Sequence, residues 1–341
     1  VCVPSDFALY DRCSKAFKSI CASYAPVMES FSIDEVFLDM TGTGQIYLDP
    51  IATACEIKDR IYRELGFTVN VGISTNKLLA KMASDFEKPN KVHTLYPEEV
   101  PQKMWPLPVR DLLFLGKASE KKLIQNGIHT IGDLAQANEK EIQMLLGEKS
   151  GHQLYLSANG IDDSPVKAQR DEAKGISVET TFDEDIVSYE QIFPILLSQC
   201  DIVAARMRRE GKKCNCVAVS FRTLEFKNKS HQRKLENPTD VTDEIYQNVK
   251  RLFQESWSGQ PLRLIGVALT GLTEDSFVQM SLFEDPKKRE QQKKLDEAMD
   301  NIRKKFGNDK ISRASTMNVS GRIARKAKAQ MENGRKKNNE L

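Results

Sequence analysis

Apolar positions along the chain switch between a helical and a strand period, and the switches mark its elements. "SDFALYDRCSKAFKSICASY" (5–24) has helical apolar spacing behind a Ser/Asp start. "SFSIDEVFLDM" (30–40) reads as a strand. "DPIATACEIKDRIYRELG" (49–66) is an amphipathic helix opened by Asp-Pro and closed by glycine. "FTVNVGIS" (67–74) is a β-branched strand, and "TNKLLAKMASDF" (75–86) a helix after it. The order helix–strand–helix–strand–helix predicts an α+β layer over 1–99, with helices on one face of a small antiparallel sheet. Residues 100–165 read as short helices with tight turns at Gly116, Gly127 and Gly132. A polar, aperiodic stretch follows, with a linker at 166–174. Residues 175–278 form a second α+β unit: "ISVETTF", the helix 188–211, the strand "CNCVAVSFRTLEF" (214–226), a helix opened at Thr242 or its neighbours, and the strand "LRLIGVALTGLT" (262–273). A charged helix-like run (286–307) and a Gly/Lys/Asn-rich tail close the region 279–341.

Composition adds partners and compartment. At 341 residues, 40% hydrophobic and 29% charged, the chain suits a multidomain globular protein with solvated segments. No apolar run reaches bilayer length, and "VCVPSDFALY" lacks a signal-peptide pattern. The seven cysteines are odd in number and scattered, as expected of a reduced, cytoplasmic protein. Net charge is +2, unevenly placed. Residues 287–341 hold 17 Lys+Arg against 7 Asp+Glu, and 206–234 hold 10 against 2. Two basic zones on a near-neutral chain point to a polyanion held on particular faces; a solvated surface with a basic tail is the plainer reading.

Three segments carry candidate chemistry. Asp34 and Glu35 are adjacent acids in an apolar run. Neighbours on a regular strand point to opposite faces, so a shared site requires the strand to begin or bulge there. Such a pair can hold a hard divalent cation, Mg²⁺ where phosphates share it, or simply face water on an edge strand. In "VGISTNKLLAKMASDFEKPNK" (71–91), Lys77 and Lys81 share a helix face behind a Ser/Thr/Asn start, and Lys88 precedes a proline. That arrangement favours a phosphate-bearing ligand or is ordinary capping with surface lysines. "LPVRDLLFLGKASEKKLIQNGIHTIGDLA" (107–135) resembles a helix-hairpin-helix, in which backbone N–H groups grip DNA phosphates. Its usual Gly-x-Gly retains Gly116, and Phe114 stands at the first glycine.

In this order, "SIDEVFLDMTG", "VGISTNKLLAKMASDFEKPN", the hairpin-like stretch and "KGISVETTF" with its basic strand resemble the Y-family (DinB/UmuC-type) translesion DNA polymerases, up to about residue 285. The resemblance implies an error-prone, damage-tolerant polymerase of the SOS kind. It would be a monomer working on primer-template DNA and dNTPs with Mg²⁺. Residues 1–99 would be a partial palm, 100–165 the thumb, and 175–278 the little finger. Asp34 and Glu35 would be the catalytic metal ligands and Lys88 a triphosphate contact. Gly116 and Lys117 of the thumb, and Arg222, Lys227 and Lys229 of one basic strand 216–229, would meet the DNA backbone. The family's opening strand, with its further metal-binding aspartate, and its finger helices have no match here. The chain is therefore expected to bind DNA without extending a primer.

"QMSLF" (279–283) resembles the short motif that docks on the bacterial β sliding clamp, with Gln279, Leu282 and Phe283 as its contacts. A strand end with an apolar staple is its plain reading. A non-catalytic DNA-binding, clamp-docking factor with a degenerate palm stands as the alternative. A helix-hairpin-helix nuclease or ligase subunit lacks an identifiable catalytic group.

Overall fold

The computed structural model describes residues 3, 5–169, 172–274, 286–308 and 310–317. It divides into two compact units: Leu9–Arg170, and Asp171–Leu341 with Val1–Ala8.

The Leu9–Arg170 unit is built from α1 (Phe7–Ala22), β1 (Val27–Ser30), β2 (Val36–Asp39), α2 (Pro50–Leu65), β3 (Val71–Ile73), α3 (Lys77–Asp85) and β4 (Val92–Thr94). The helical region follows with α4 (Val100–Lys103), α5 (Lys117–Gln125), α6 (Ile131–Gln136), α7 (Glu139–Leu146) and α8 (Glu148–Ala158). "SFSIDEVFLDM" is not one strand. β1 and β2 form an antiparallel hairpin, with Val27 opposite Asp39 and Ser30 opposite Val36. The Ser, Asp and Glu between them take the turn, where they reach solvent and bond locally. The small sheet is also not wholly antiparallel. β3 and β4 pair in parallel, because α3 returns the chain to the end where β3 began.

The helices beneath carry the apolar cores. Phe17, Ile20 and Cys21 of α1 meet Ile57 and Ile61 of α2, with Val36, Leu38, Phe67 and Val69 half-buried over them. Among the described residues, β2 pairs only with β1 and β3 only with β4. An open cavity of about 1490 Å³ is lined by residues of both β2 and β3, among them Val36, Leu38, Val71 and Ile73. α3 faces two ways. Leu78, Leu79, Met82 and Ala83 enter a core with Met104, Leu123, Ile131 and Leu134 of the helical region. Each fully buried leucine contributes about 1.5–3 kcal/mol there. Gly132 lies inside α6, not at a turn: a Cβ there would stand 2.9 Å from that of Trp105, so the position serves close packing.

The other unit runs β5 (Gly175–Ile186), α9 (Tyr189–Arg209), β6 (Lys213–Thr223), β7 (Asn228–Thr239), α10 (Thr242–Ser256), β8 (Leu262–Thr273) and α11 (Pro286–Phe306). The strands form an antiparallel sheet in the order β5-β8-β6-β7, a split βαβ arrangement. β5 alternates exposed and buried from Gly175 to Phe182. Its inward residues join Val217, Val219 and Phe221 of β6 and the apolar faces of α9 and α10 in one core. The basic strand expected over 216–229 turns at 224–227, where Phe226 has φ 60°, and returns as β7. β7 escapes notice because "NKSHQRKLENPT" is an edge strand, largely exposed and without apolar alternation.

α11 joins this unit through ionic pairs that are mostly buried. Arg208 of α9 donates to Asp300 (2.7 Å) and Asp296 (3.4 Å), and Arg303 donates to Asp201 of α9 (2.5 Å). Arg313, beyond α11, donates to Asp296 (2.5 Å) and lies 3.7 Å from Asp201. Asp296 also accepts the Thr242 N–H at 2.7 Å. α10 begins after Val241, whose side chain cannot cap it, so the cap comes from α11. The QMSLF motif, with Gln279, Leu282 and Phe283, lies outside the described residues.

Candidate active site

The hairpin turn gathers the two acids. Phe31 N–H and Ser32 N–H both donate to the Glu35 carbonyl, at 3.0 and 3.2 Å, closing the loop just before β2. Ser32 Oγ lies 2.7 Å from Asp34 Oδ1 and 3.3 Å from Glu35 Oε2, so the two carboxylates converge on one point. Asp34 is exposed and Glu35 half-buried. The requirement that the strand begin at the pair is met, since Val36 is the first residue of β2. The donors are hard oxygens. A small divalent cation is ordinarily held by one or two carboxylates, with water and substrate phosphates completing its shell, and this pair fits that role. Among the described residues, no group of three or more His, Cys, Asp or Glu side chains is placed to hold a metal.

α3 supplies the surrounding charge. Lys81 pairs with Glu35 at 2.6 Å and Asp85 at 2.8 Å; Asp85 also holds Lys88 at 2.8 Å. Glu35, Lys81, Asp85 and Lys88 thus form a relay of alternating charge. Burial would lower the Lys81 ammonium, but Asp85 and Glu35 outweigh it and hold it above its ordinary value. Asp85 is raised by burial and brought below its ordinary value by Lys81 and Lys88. Lys88 is 60% exposed and reaches solvent at the end of the relay. The α3 N-terminus is not open to a phosphate as its sequence invites. Asn76 accepts the Leu79 N–H (2.8 Å) and Asp162 the Leu78 N–H (3.1 Å), so these donors are already used. Lys77 is likewise engaged, with Glu29 at 2.7 Å.

The DNA-contact candidates separate. Gly116 caps α5 without a side-chain hydrogen bond, and Lys117 beside it is exposed. Arg222 lies opposite Asn228 and donates to its side chain at 2.7 Å; Lys229 lies opposite Phe221, which faces the core. Directly paired residues share a face, so Arg222 and Lys229 occupy opposite faces of the sheet. Lys227 is in the turn, paired with Glu225 at 2.6 Å. The three residues therefore do not form one basic row.

Glu29 and Ser32 are site residues that spacing did not reveal. Glu29 accepts from Lys77 and from the Lys167 N–H (2.8 Å), tying β1 to α3 and to the segment after α8. Burial raises its carboxyl, but Lys77 and Lys167 outweigh this and hold it below its ordinary value. Its contacts lie 48 and 138 residues away in sequence. The available signal was a lone acid in an apolar strand.

Comparisons with known proteins agree with this geometry. The model of the impB/mucB/samB family matches residues 1–85, and that of its C-terminal domain matches 173–282. A model described as the DNA polymerase-iota thumb domain matches 110–162. DNA polymerase IV of Clostridium acetobutylicum is 42% identical over 311 residues, 91% of this chain and 78% of that protein. DNA polymerase IV 2 of Bacillus subtilis is 36% identical over 326 residues, 93% and 78% of the two chains. A solved Y-family polymerase chimera of Dbh and Dpo4 shares the fold with a TM-score of 0.70 at 23% identity, over 80% of this chain and 79% of that one. The hairpin with its two carboxylates, the helical region behind it and the βαββαβ unit thus have one explanation: the chain belongs to the Y family of DNA polymerases, the DinB-type DNA-directed polymerases of translesion synthesis and repair.

Proposed function

We propose that this chain holds primer-template DNA and positions an incoming dNTP and its Mg²⁺ at the turn 31–35. The convergence of Asp34 and Glu35 on Ser32 Oγ is the observation that carries this reading. When bound, the metal lowers the pKa of the primer 3′-OH and neutralises charge developing on the α-phosphate. Lys81 keeps Glu35 oriented toward the shared point. Lys88 exchanges Asp85 for a triphosphate oxygen, and Asp85 is not left bare because Lys81 remains beside it. Gly116, Lys117, Arg222, Lys227 and Lys229 contribute backbone contacts that are sequence-blind and salt-sensitive. Leu282 and Phe283, with Gln279, dock the chain on a bacterial β sliding clamp; a clamp pull-down with both apolar residues changed to alanine tests that partner.

The decisive experiment measures retention of a labelled dNTP on the chain–primer-template complex, with and without Mg²⁺. Mg²⁺-dependent retention is expected, together with its loss in Glu35→Ala and Asp34→Ala at unchanged DNA affinity. Retention that survives both substitutions overturns the site. Primer extension by the same samples is expected at background, because the turn offers two carboxylates and the described residues add no third. Extension that Asp34→Ala abolishes would refute that expectation and leave the polymerase reading standing.

A further inference from the structure

The turn 31–35, which carries the two carboxylates, buries little of its own. Phe31 is 38% and Ile33 52% exposed, and the strands on either side have four residues each. A two-stranded hairpin of that length does not hold its tip by itself. Lys81 reaches the turn through the Glu35 side chain, not through its backbone. The backbone is held from α1. Ser14 Oγ donates to the Ile33 carbonyl, and Lys18 Nζ donates to the Ser32 carbonyl at 2.6 Å. The two donors are four residues apart, about one turn of helix, so they leave α1 on the same side. Ser14 is a hydroxyl in an apolar stripe: it is 8% exposed, and Phe17 and Cys21 of the same helix are buried with it. A serine inside a helix commonly bonds back to the carbonyl four residues earlier. This one crosses to the residue before Asp34, 19 positions onward.

Peptide planarity turns these two bonds into a positional constraint. The Ser32 and Ile33 carbonyls belong to consecutive peptide planes, which together contain the Cα atoms of Ser32, Ile33 and Asp34. Holding both carbonyls therefore holds the roots of the Ser32 hydroxyl and of the Asp34 carboxylate. We infer that Ser14 and Lys18 are positioning residues for the metal site, locking the turn so that Asp34 and Glu35 arrive at one point. The inference rests on the reading of the turn as the Mg²⁺ and dNTP site, and adds to it the groups that set its geometry. Partners outside a ligand set typically change metal affinity 10- to 100-fold when removed.

The test uses the full chain on primer-template with a labelled dNTP, titrating Mg²⁺ and reading the midpoint of dNTP retention. Lys18→Met keeps the stem and removes one donor; Ser14→Ala removes the other without adding volume. Each is expected to raise the Mg²⁺ midpoint about 10-fold, the lower end for such partners, with primer-template affinity by anisotropy unchanged. Lys18→Arg, which restores a donor of similar reach, is expected to recover most of the wild-type midpoint. A role confined to folding predicts the reverse, a lower Tm with the midpoint of the folded protein unmoved. Two results overturn the inference: wild-type midpoints in both Lys18→Met and Ser14→Ala, or a Lys18→Arg midpoint as high as that of Lys18→Met. Should Lys18→Met not fold, a wild-type midpoint in Ser14→Ala overturns it alone. Failure of the wild-type chain to retain dNTP with Mg²⁺ would instead sink the reading of the turn itself, and this inference with it.

Discussion

Removal of the Lys77 ammonium should destabilise the Leu9–Arg170 unit through the carboxylate it leaves behind. Lys77 Nζ lies 2.7 Å from Glu29 and 5.1 Å from the centre of the Phe37 ring. The two charged side chains are only 15% and 18% exposed. Breaking a fully buried pair costs about 3–5 kcal/mol, and an exposed pair contributes at most about 1. At this exposure, and with the Lys167 N–H still donating to Glu29, Lys77→Met should cost about 2–3 kcal/mol. Methionine keeps most of the stem, so the loss reports charge and not volume. For a unit of this size the change corresponds to a fall in Tm of about 4–12 °C. Equilibrium urea unfolding of wild type, Lys77→Met, Glu29→Gln and the double variant closes the cycle. The double variant should be more stable than Lys77→Met alone, with a coupling of about 2 kcal/mol. A coupling below about 0.5 kcal/mol would refute the argument and make the pair a surface decoration.

A Cβ at Gly72 would stand 1.9 Å from the Ala80 carbonyl oxygen and 2.6 Å from the Ser84 nitrogen, so Gly72→Ala must push β3 off α3; a loss of about 3 kcal/mol or more is expected by thermal unfolding. Asp296 is 2% exposed and serves Arg208, Arg313 and the α10 cap, so Asp296→Asn should cost about 3–5 kcal/mol in urea unfolding of the Asp171–Leu341 unit. Glu29 and Asp85 are held below their ordinary values by their lysines, so their contribution is present above those values and lost as pH falls through the lower folded ones. Stability of the Leu9–Arg170 unit should therefore drop below about pH 4.5, and Glu29→Gln should flatten that drop when unfolding is followed against pH.

Much of this architecture was legible where burial is one-sided. The period over 49–66 matches α2 because that helix presents one apolar stripe to a core. By contrast, α9 is buried on more than one face, with every residue from Gln199 to Ala205 inside, and its length carried the reading of 188–211. Asp34 and Glu35 were visible as acids out of place in an apolar run. Their convergence was not, because it depends on Ser32, which looks like any turn serine. The lysines of α3 gave an ambiguous signal for a physical reason: the spacing that offers two ammonium groups to a phosphate also offers them to Glu29, Glu35 and Asp85. β7 was missed because an exposed edge strand has little apolar periodicity, and its backbone pairing with β6 leaves no mark in the sequence.

The ion pairs of α11 also decide where this protein can be cut. The match to the C-terminal family domain stops at residue 282, a tempting place to end an expression product. Such a product would keep Arg208 and Asp201 at their positions on α9 but lose Asp296, Asp300, Arg303 and Arg313, together with the acceptor for the Thr242 N–H. Two charges would remain without their partners and one helix without its cap. The smallest stable piece should therefore run to about residue 317, and products ending near 282 should be insoluble or readily proteolysed.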